Sequence, residues 1–449
     1  MKFGLRLDLC RSLQTPAYPA GCLLFGMLFM LAAAHFMAIP WPRAATIAVY
    51  TLPAAWVSLL AWRERQHVLA FTAIDWLFAG FVLLVAASLV LGGGASGGAR
   101  QQPQYFPFMV IIPYLCGRMM RMPDIALLSR ITLWAGLAML PLLLLDRLTS
   151  TGRGGGRWPF FGHDHGALLV AELLALALVV LCVRILDFPN HGERNRRDRY
   201  VQYSLLGIVT VALVWVTARG WLLAGLGGVA VTCLFARHRT IAIRGGLLAA
   251  VLVVAGWSVV MLPKLDANFG VLYAKMLDKD ARAAFGATGG ATGGATGPIL
   301  GEANCQPFKK GNNSVAMRGV MYREAVAMFL ENPVMGVGAD RFGERSCTGP
   351  GWYPHSMVLQ VFAELGLVGG GLLSGLLALA AVTLARLFLP GRQDGSNWSA
   401  DVFTLTLFVM FFVAHQSSGN YFTGKGTWLM LGIAASMRAN VKQGGASRG

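Results

Sequence analysis

The sequence predicts an all-α polytopic membrane protein, and three observations predict it. Of 449 residues, 55% are hydrophobic and 13% charged, the mean hydropathy is +0.57, and apolar runs of spanning length recur along the chain. A soluble globular chain does not have this composition. The formal net charge of +17 raises nucleic acid as a partner. The basic residues, however, fall in short clusters between apolar runs rather than along one face, so nucleic acid is set aside and membrane lipids are the expected surroundings.

At ~20 apolar residues per span, about twelve transmembrane helices are expected, near 20–39, 44–62, 71–92, 105–117, 125–146, 165–186, 201–218, 220–236, 245–263, 356–385, 401–416 and 426–437. Alternate connections carry Lys2, Arg6 and Arg11; Arg63 and Arg65; Arg118 and Arg121; Arg194, Arg196, Arg197 and Arg199; Arg237, Arg239 and Arg244; Arg386 and Arg392; and Arg438, Lys442 and Arg448. Basic loops stay on the cytoplasmic side, so both termini are expected there. The first apolar run is long enough to span and is followed by Ile39-Pro40-Trp41-Pro42 rather than by a cleavage site, so it is expected to remain in the membrane.

Most connections are short. The exception is one outer loop of roughly ninety residues, and long loops in compact domains usually carry function. The expected organisation is therefore 1–263 with the first nine helices, 264–354 as the large outer loop with an amphipathic helix, and 355–449 with the last three helices and the tail. Within the loop, residues 284–297 read AFGATGGATGGATG, a repeat unable to bury a core. Residues 316–331 place apolar side chains at Val320, Met321, Ala325, Met328 and Phe329, with Ser314 as N-cap and Asn332-Pro333 as the stop. This helix is expected to lie against the membrane mouth. Of seven cysteines, Cys305 and Cys347 stand alone in the outer loop, either as a disulfide or as two thiols.

Three outer-face residues could carry chemistry. Arg219 falls at a turn between two helices, where it reads equally as a snorkelling anchor. Arg318 opens the loop helix, where a solvated charge is the plain alternative. Guanidinium forks suit phosphate oxygens, so two at one mouth suggest a diphosphate clamp. His355 opens the tenth span after Pro354, where the helix dipole disfavours the imidazolium, so a neutral general base is available there. Glu364 lies about half a helical rotation away and reads as packing support. His163-Asp164-His165 invites a metal reading that its spacing does not support, and no cofactor or metal is expected. Lys309 and Lys310 add positive charge that would draw an anionic headgroup.

Three stretches carry a resemblance to a known family: RWPFFGHDHGALLVA at 157–171, VTARGWLLAG at 216–225, and RGVMYREAVAMFLENPVMGVG leading to PHSMVLQVFAELGLVG across 318–369. On these the chain resembles the O-antigen ligase and polymerase superfamily, and most closely the WaaL-type O-antigen ligases. The resemblance implies a GT-C type membrane glycosyltransferase architecture in a bacterial inner membrane, with a periplasmic active site. It implies transfer of O-antigen polysaccharide from undecaprenyl diphosphate to a sugar hydroxyl of lipid A-core, inverting and metal-independent. It further implies that Arg219 and Arg318 hold the diphosphate and that His355 deprotonates or orients the acceptor hydroxyl. His163-Asp164-His165 departs from the family's pattern, and the ATGG repeat is peculiar to this chain. The alternatives are the sister polymerase, a protein O-oligosaccharyltransferase and a membrane transporter.

Overall fold

The computed structural model of the protein describes residues 55–63, 65, 70–91, 106–149, 166–187, 194–216, 219–235, 314–347, 352–388, 398–417 and 419–446. Among them there are helices and connecting turns and no strand. The helices are α1 (Ala73–Leu91), α2 (Ile112–Met119, entered through a π-helical stretch Pro107–Ile111), α3 (Met122–Thr149), α4 (Gly166–Asp187), α5 (Arg194–Trp215), α6 (Arg219–Phe235), α7 (Ser314–Glu331), α8 (Phe342–Arg345), α9 (Met357–Ala385), α10 (Trp398–Ser417) and α11 (Lys425–Ala446). The expected spans at 20–39 and 245–263, most of 44–62, the ATGG repeat, Lys309, Lys310 and the His163-Asp164-His165 segment lie outside the described residues.

Among the described residues five helices are long and apolar enough to cross a membrane, and those at Pro107–Met119, Tyr200–Trp215 and Gly220–Phe235 are apolar but shorter. The protein is therefore a multi-pass membrane protein. α4 is the most enclosed of the spans, packed against α3, α5, α6 and α10. Its unbroken run from Leu169 to Val183, with Glu172 as the sole charge, matches a helix with no lipid-facing or water-facing side. α6 and α10 meet through a buried hydroxyl pair, Thr232 and Thr406, 3.1 Å apart, the kind of polar contact that joins helices where apolar burial discriminates little. α2 and α11 approach still more closely. A Cβ on Gly117 would collide with the backbone of Leu429, and one on Gly432 with that of Tyr114, so reciprocal glycines set this crossing.

Two charge readings change. Arg118 is not a solvated loop cation: it is 3% exposed and its Nε donates to Asp75 Oδ1 at 3.0 Å. Tyr114 also donates to Asp75 Oδ1, at 2.8 Å, and Arg118 Nη2 donates to the Ala70 carbonyl at 2.6 Å. The low dielectric around Asp75 makes a paired guanidinium far cheaper to bury than either charge alone, and the pair ties α1 to α2. The Arg194–Arg199 cluster, read as a connection, is helical: α5 begins at Arg194.

Candidate functional site

α7 forms where the apolar spacing placed it, ends at Glu331 before Asn332-Pro333, and begins at Ser314 itself. It does not simply lie against a membrane mouth. It packs on α9, with Met321, Ala325 and Met328 joined by Phe342 and Ala363 in a small core and Phe329 edge-on to Phe362 at 5.5 Å. Glu324 is buried on the same face, which the apolar pattern did not anticipate. Its Oε1 accepts from the Cys347 amide at 2.8 Å, and burial raises its carboxyl to about 7. Cys347 is disulfide-bonded; Cys305 lies outside the described residues.

The segment after α7 docks onto a break in α9. At Gly366 the backbone leaves helical geometry, with φ 61 and ψ −156, which frees backbone groups that must be paired again in a low-dielectric setting. The loop pairs them. Val337 N donates to Ala363 O at 3.0 Å and Gly338 N to Glu364 O at 2.9 Å, while Leu367 N donates to Pro333 O at 2.7 Å and Val368 N to Val334 O at 3.2 Å. A Cβ on Gly336 would meet the backbone of Glu364, and one on Gly366 that of Val334. Glycine at both positions permits the left-handed φ and the backbone contact together.

Glu364 fastens the same junction with its side chain. It accepts from the amides of Asp340 at 2.9 Å and Phe342 at 3.2 Å, from Gln360 Nε2 at 3.3 Å and from the Tyr421 hydroxyl at 2.6 Å. Burial first, then the neighbouring Glu364, pushes the Tyr421 phenol well above its ordinary range, so it stays a donor. The packing role expected for Glu364 is thus a hydrogen-bonding one.

His355 lies just before α9, not on it. α9 starts at Met357 and Ser356 is its N-cap, accepting from Leu359 N at 3.4 Å. Ser356 also donates to Gln416 Oε1 on α10 at 3.0 Å. Serine is a strong N-cap, and the positive φ of His355, 57°, excludes it from the helix, so the sequence reading that placed it at the helix opening is corrected by two residues. His355 is half-buried, its ring 4.6 Å from Tyr353 and 6.4 Å from Trp352.

Tyr353 connects this histidine to Arg318. Burial raises its phenol, and the Arg318 guanidinium opposes that rise; Tyr322, one turn beyond Arg318, feels the same two influences. Arg318, half-buried, is therefore close enough to the Tyr353 phenol to act on it electrostatically. Of Arg219 the structure gives the backbone: it is the first residue of α6. The α6–α10 pairing runs antiparallel, Trp221 meeting Phe411 and Thr232 meeting Thr406, so Arg219 begins α6 at the end of the bundle where Gln416 holds Ser356. Tyr353 was missed by sequence reading, although its position two residues before the histidine was the available signal.

The fold and this end of the bundle define a polytopic helical membrane protein with an arginine, a histidine and aromatic rings before the start of α9. Residues 204–374 match the family model described as O-antigen ligase. That stretch contains Arg219, Arg318 and His355 and ends beyond the α9 break. No curated protein matches the chain.

Proposed function

We propose that this protein is a membrane glycosyltransferase of the O-antigen ligase kind, joining O-antigen carried on undecaprenyl diphosphate to a sugar hydroxyl of lipid A-core at the periplasmic face of the inner membrane. The observation that carries the reading is the juxtaposition of Arg318, Tyr353 and His355 beside the start of α9.

The acceptor hydroxyl oxygen forms a bond to the anomeric carbon as the bond from that carbon to the diphosphate oxygen breaks. The electron pair leaves with undecaprenyl diphosphate, and the hydroxyl proton passes to the imidazole of His355. Arg219 and Arg318 hold the diphosphate, offsetting the charge that grows on its bridging oxygen as it departs. Attack on the face opposite the leaving group inverts the anomeric configuration. The Tyr353 ring lies tilted against the imidazole, 4.6 Å between centroids, and limits its orientation.

The test is a lipopolysaccharide gel, run beside an analysis of undecaprenyl-linked glycans, from cells lacking the protein and complemented with wild type or Arg318→Lys. Lysine keeps the charge and loses the fork, so transfer is expected to fall by about tenfold or more. Polymer accumulating on undecaprenyl diphosphate above bare core supports the ligase. A core carrying a single repeat, with no long polymer, would make the protein a polymerase instead.

A further inference from the structure

At the end of the bundle away from His355, four helices line an open-sided cavity of about 520 Å³. α10 measures the separation: Gln416 touches Ser356 at one end, and Ser399 lines the cavity at the other, about 25 Å away at ~1.5 Å per residue. α3 contributes Arg130, α4 contributes Arg184 with Val180 and Val183, α5 contributes Gln202, and α10 contributes Phe403.

We infer that this cavity is a binding site for the phosphate of an anionic phospholipid headgroup, with Arg130 and Arg184 as its two ligating side chains. Two guanidiniums from different helices share one cavity and repel each other. Among the described residues no carboxylate lines it, and Asp198 and Asp401, the nearest acids along α5 and α10, are not part of the wall. Arg184 is half-withdrawn from water and Arg130 is exposed beside it, and two like charges on one cavity favour an anion between them.

Gln202 strengthens the assignment. Its Oε1 is buried with no hydrogen-bond partner; rotating the amide puts Nε2 there, a donor facing the same space. Two forked cations and an amide donor match the oxygens of a phosphodiester. The other wall is apolar, with Val180, Val183 and Phe403, and suits the glycerol and upper acyl carbons of a lipid rather than a free ion. Basic pockets between membrane helices take lipid headgroups by this chemistry. The site is independent of glycosyl transfer.

The experiment uses the full chain purified in neutral detergent, with thermal unfolding followed against added phosphatidylglycerol, phosphatidylcholine or inorganic phosphate. Phosphatidylglycerol is expected to raise the Tm of wild type, and Arg130→Gln with Arg184→Gln is expected to weaken its binding by about tenfold or more. Binding that is unchanged in the double variant would overturn the site. An equal rise with inorganic phosphate would overturn the lipid as its source. Should the double variant fail to accumulate, native mass spectrometry of wild type decides: selective retention of phosphatidylglycerol supports the site, and equal retention of phosphatidylcholine refutes it.

Discussion

Asp75 and Glu364 are both carboxylates buried inside the helical bundle, and they solve the same desolvation problem differently. Asp75 is matched by a cation, Arg118, with Tyr114 and Thr72 completing its shell. Glu364 is satisfied by neutral donors: two loop amides, a glutamine and a phenol. The first arrangement joins two regular helices. The second joins a loop to a broken helix, beside the residues that gather at the mouth. The amide that Asp75 accepts is local, that of Thr72 just before α1, whereas Glu364 accepts the amides of Asp340 and Phe342 from a distant loop and so fixes the path of that loop, which a site at a loop and helix junction requires.

If the mouth serves chemistry and the Asp75 pair serves the scaffold, activity and stability should separate. The largest expected effect is that of His355→Ala, which should lower transfer on the order of 10²–10⁴-fold without changing the Tm; equal activity at equal abundance would remove His355 from the reaction. Next is Arg118→Met, which leaves Asp75 charged and unpaired and should cost ~3–5 kcal/mol, read as a fall in Tm. Adding Asp75→Asn should recover much of that loss, and strict additivity of the two losses would show that they are not one unit.

Glu364→Ala comes third. It orphans the amides of Asp340 and Phe342 and the Tyr421 hydroxyl, but the loop can turn toward water, so the stability loss should be roughly 2–3 kcal/mol. Unlike the Asp75 change it should lower transfer as well, and hydrogen exchange at the Asp340 and Phe342 amides should quicken. Unchanged exchange at those amides would break the contrast between the two carboxylates.

The smallest effect is a pH dependence at Glu324, whose carboxyl is raised from 4.5 to about 7 by burial. The folded chain then holds a proton that the unfolded chain releases, so stability is greatest at low pH and declines as pH rises from about 4.5 to about 7. Glu324→Gln, which keeps an acceptor for the Cys347 amide, should flatten the decline. An identical pH profile in that variant would assign the dependence to another group.

How much of the site could be read in advance differs from residue to residue. The α7 stripe was legible because its apolar residues recur at helical spacing from Val320 to Phe329, and Asn332-Pro333 ended it where proline chemistry demands. Arg318 and His355 were legible as residue types but not as neighbours, since Tyr353 links them only after the chain has folded. Glu324 was not legible as a buried residue, because its partner, the Cys347 amide, is 23 residues away.

By itself the sequence determined the membrane class and the positions of nine helices that fall on described residues, and it singled out Arg219, Arg318 and His355 as candidates by residue type. Local hydropathy and caps decide those properties, and they act over a few turns. Only tertiary structure decided that Arg118 is a buried partner rather than a topology charge, that ENPVMGVG hydrogen-bonds to the α9 break at Gly366, and that Arg130 and Arg184 share a cavity. Those depend on groups far apart in sequence meeting where water cannot satisfy them, and no local pattern encodes such a meeting.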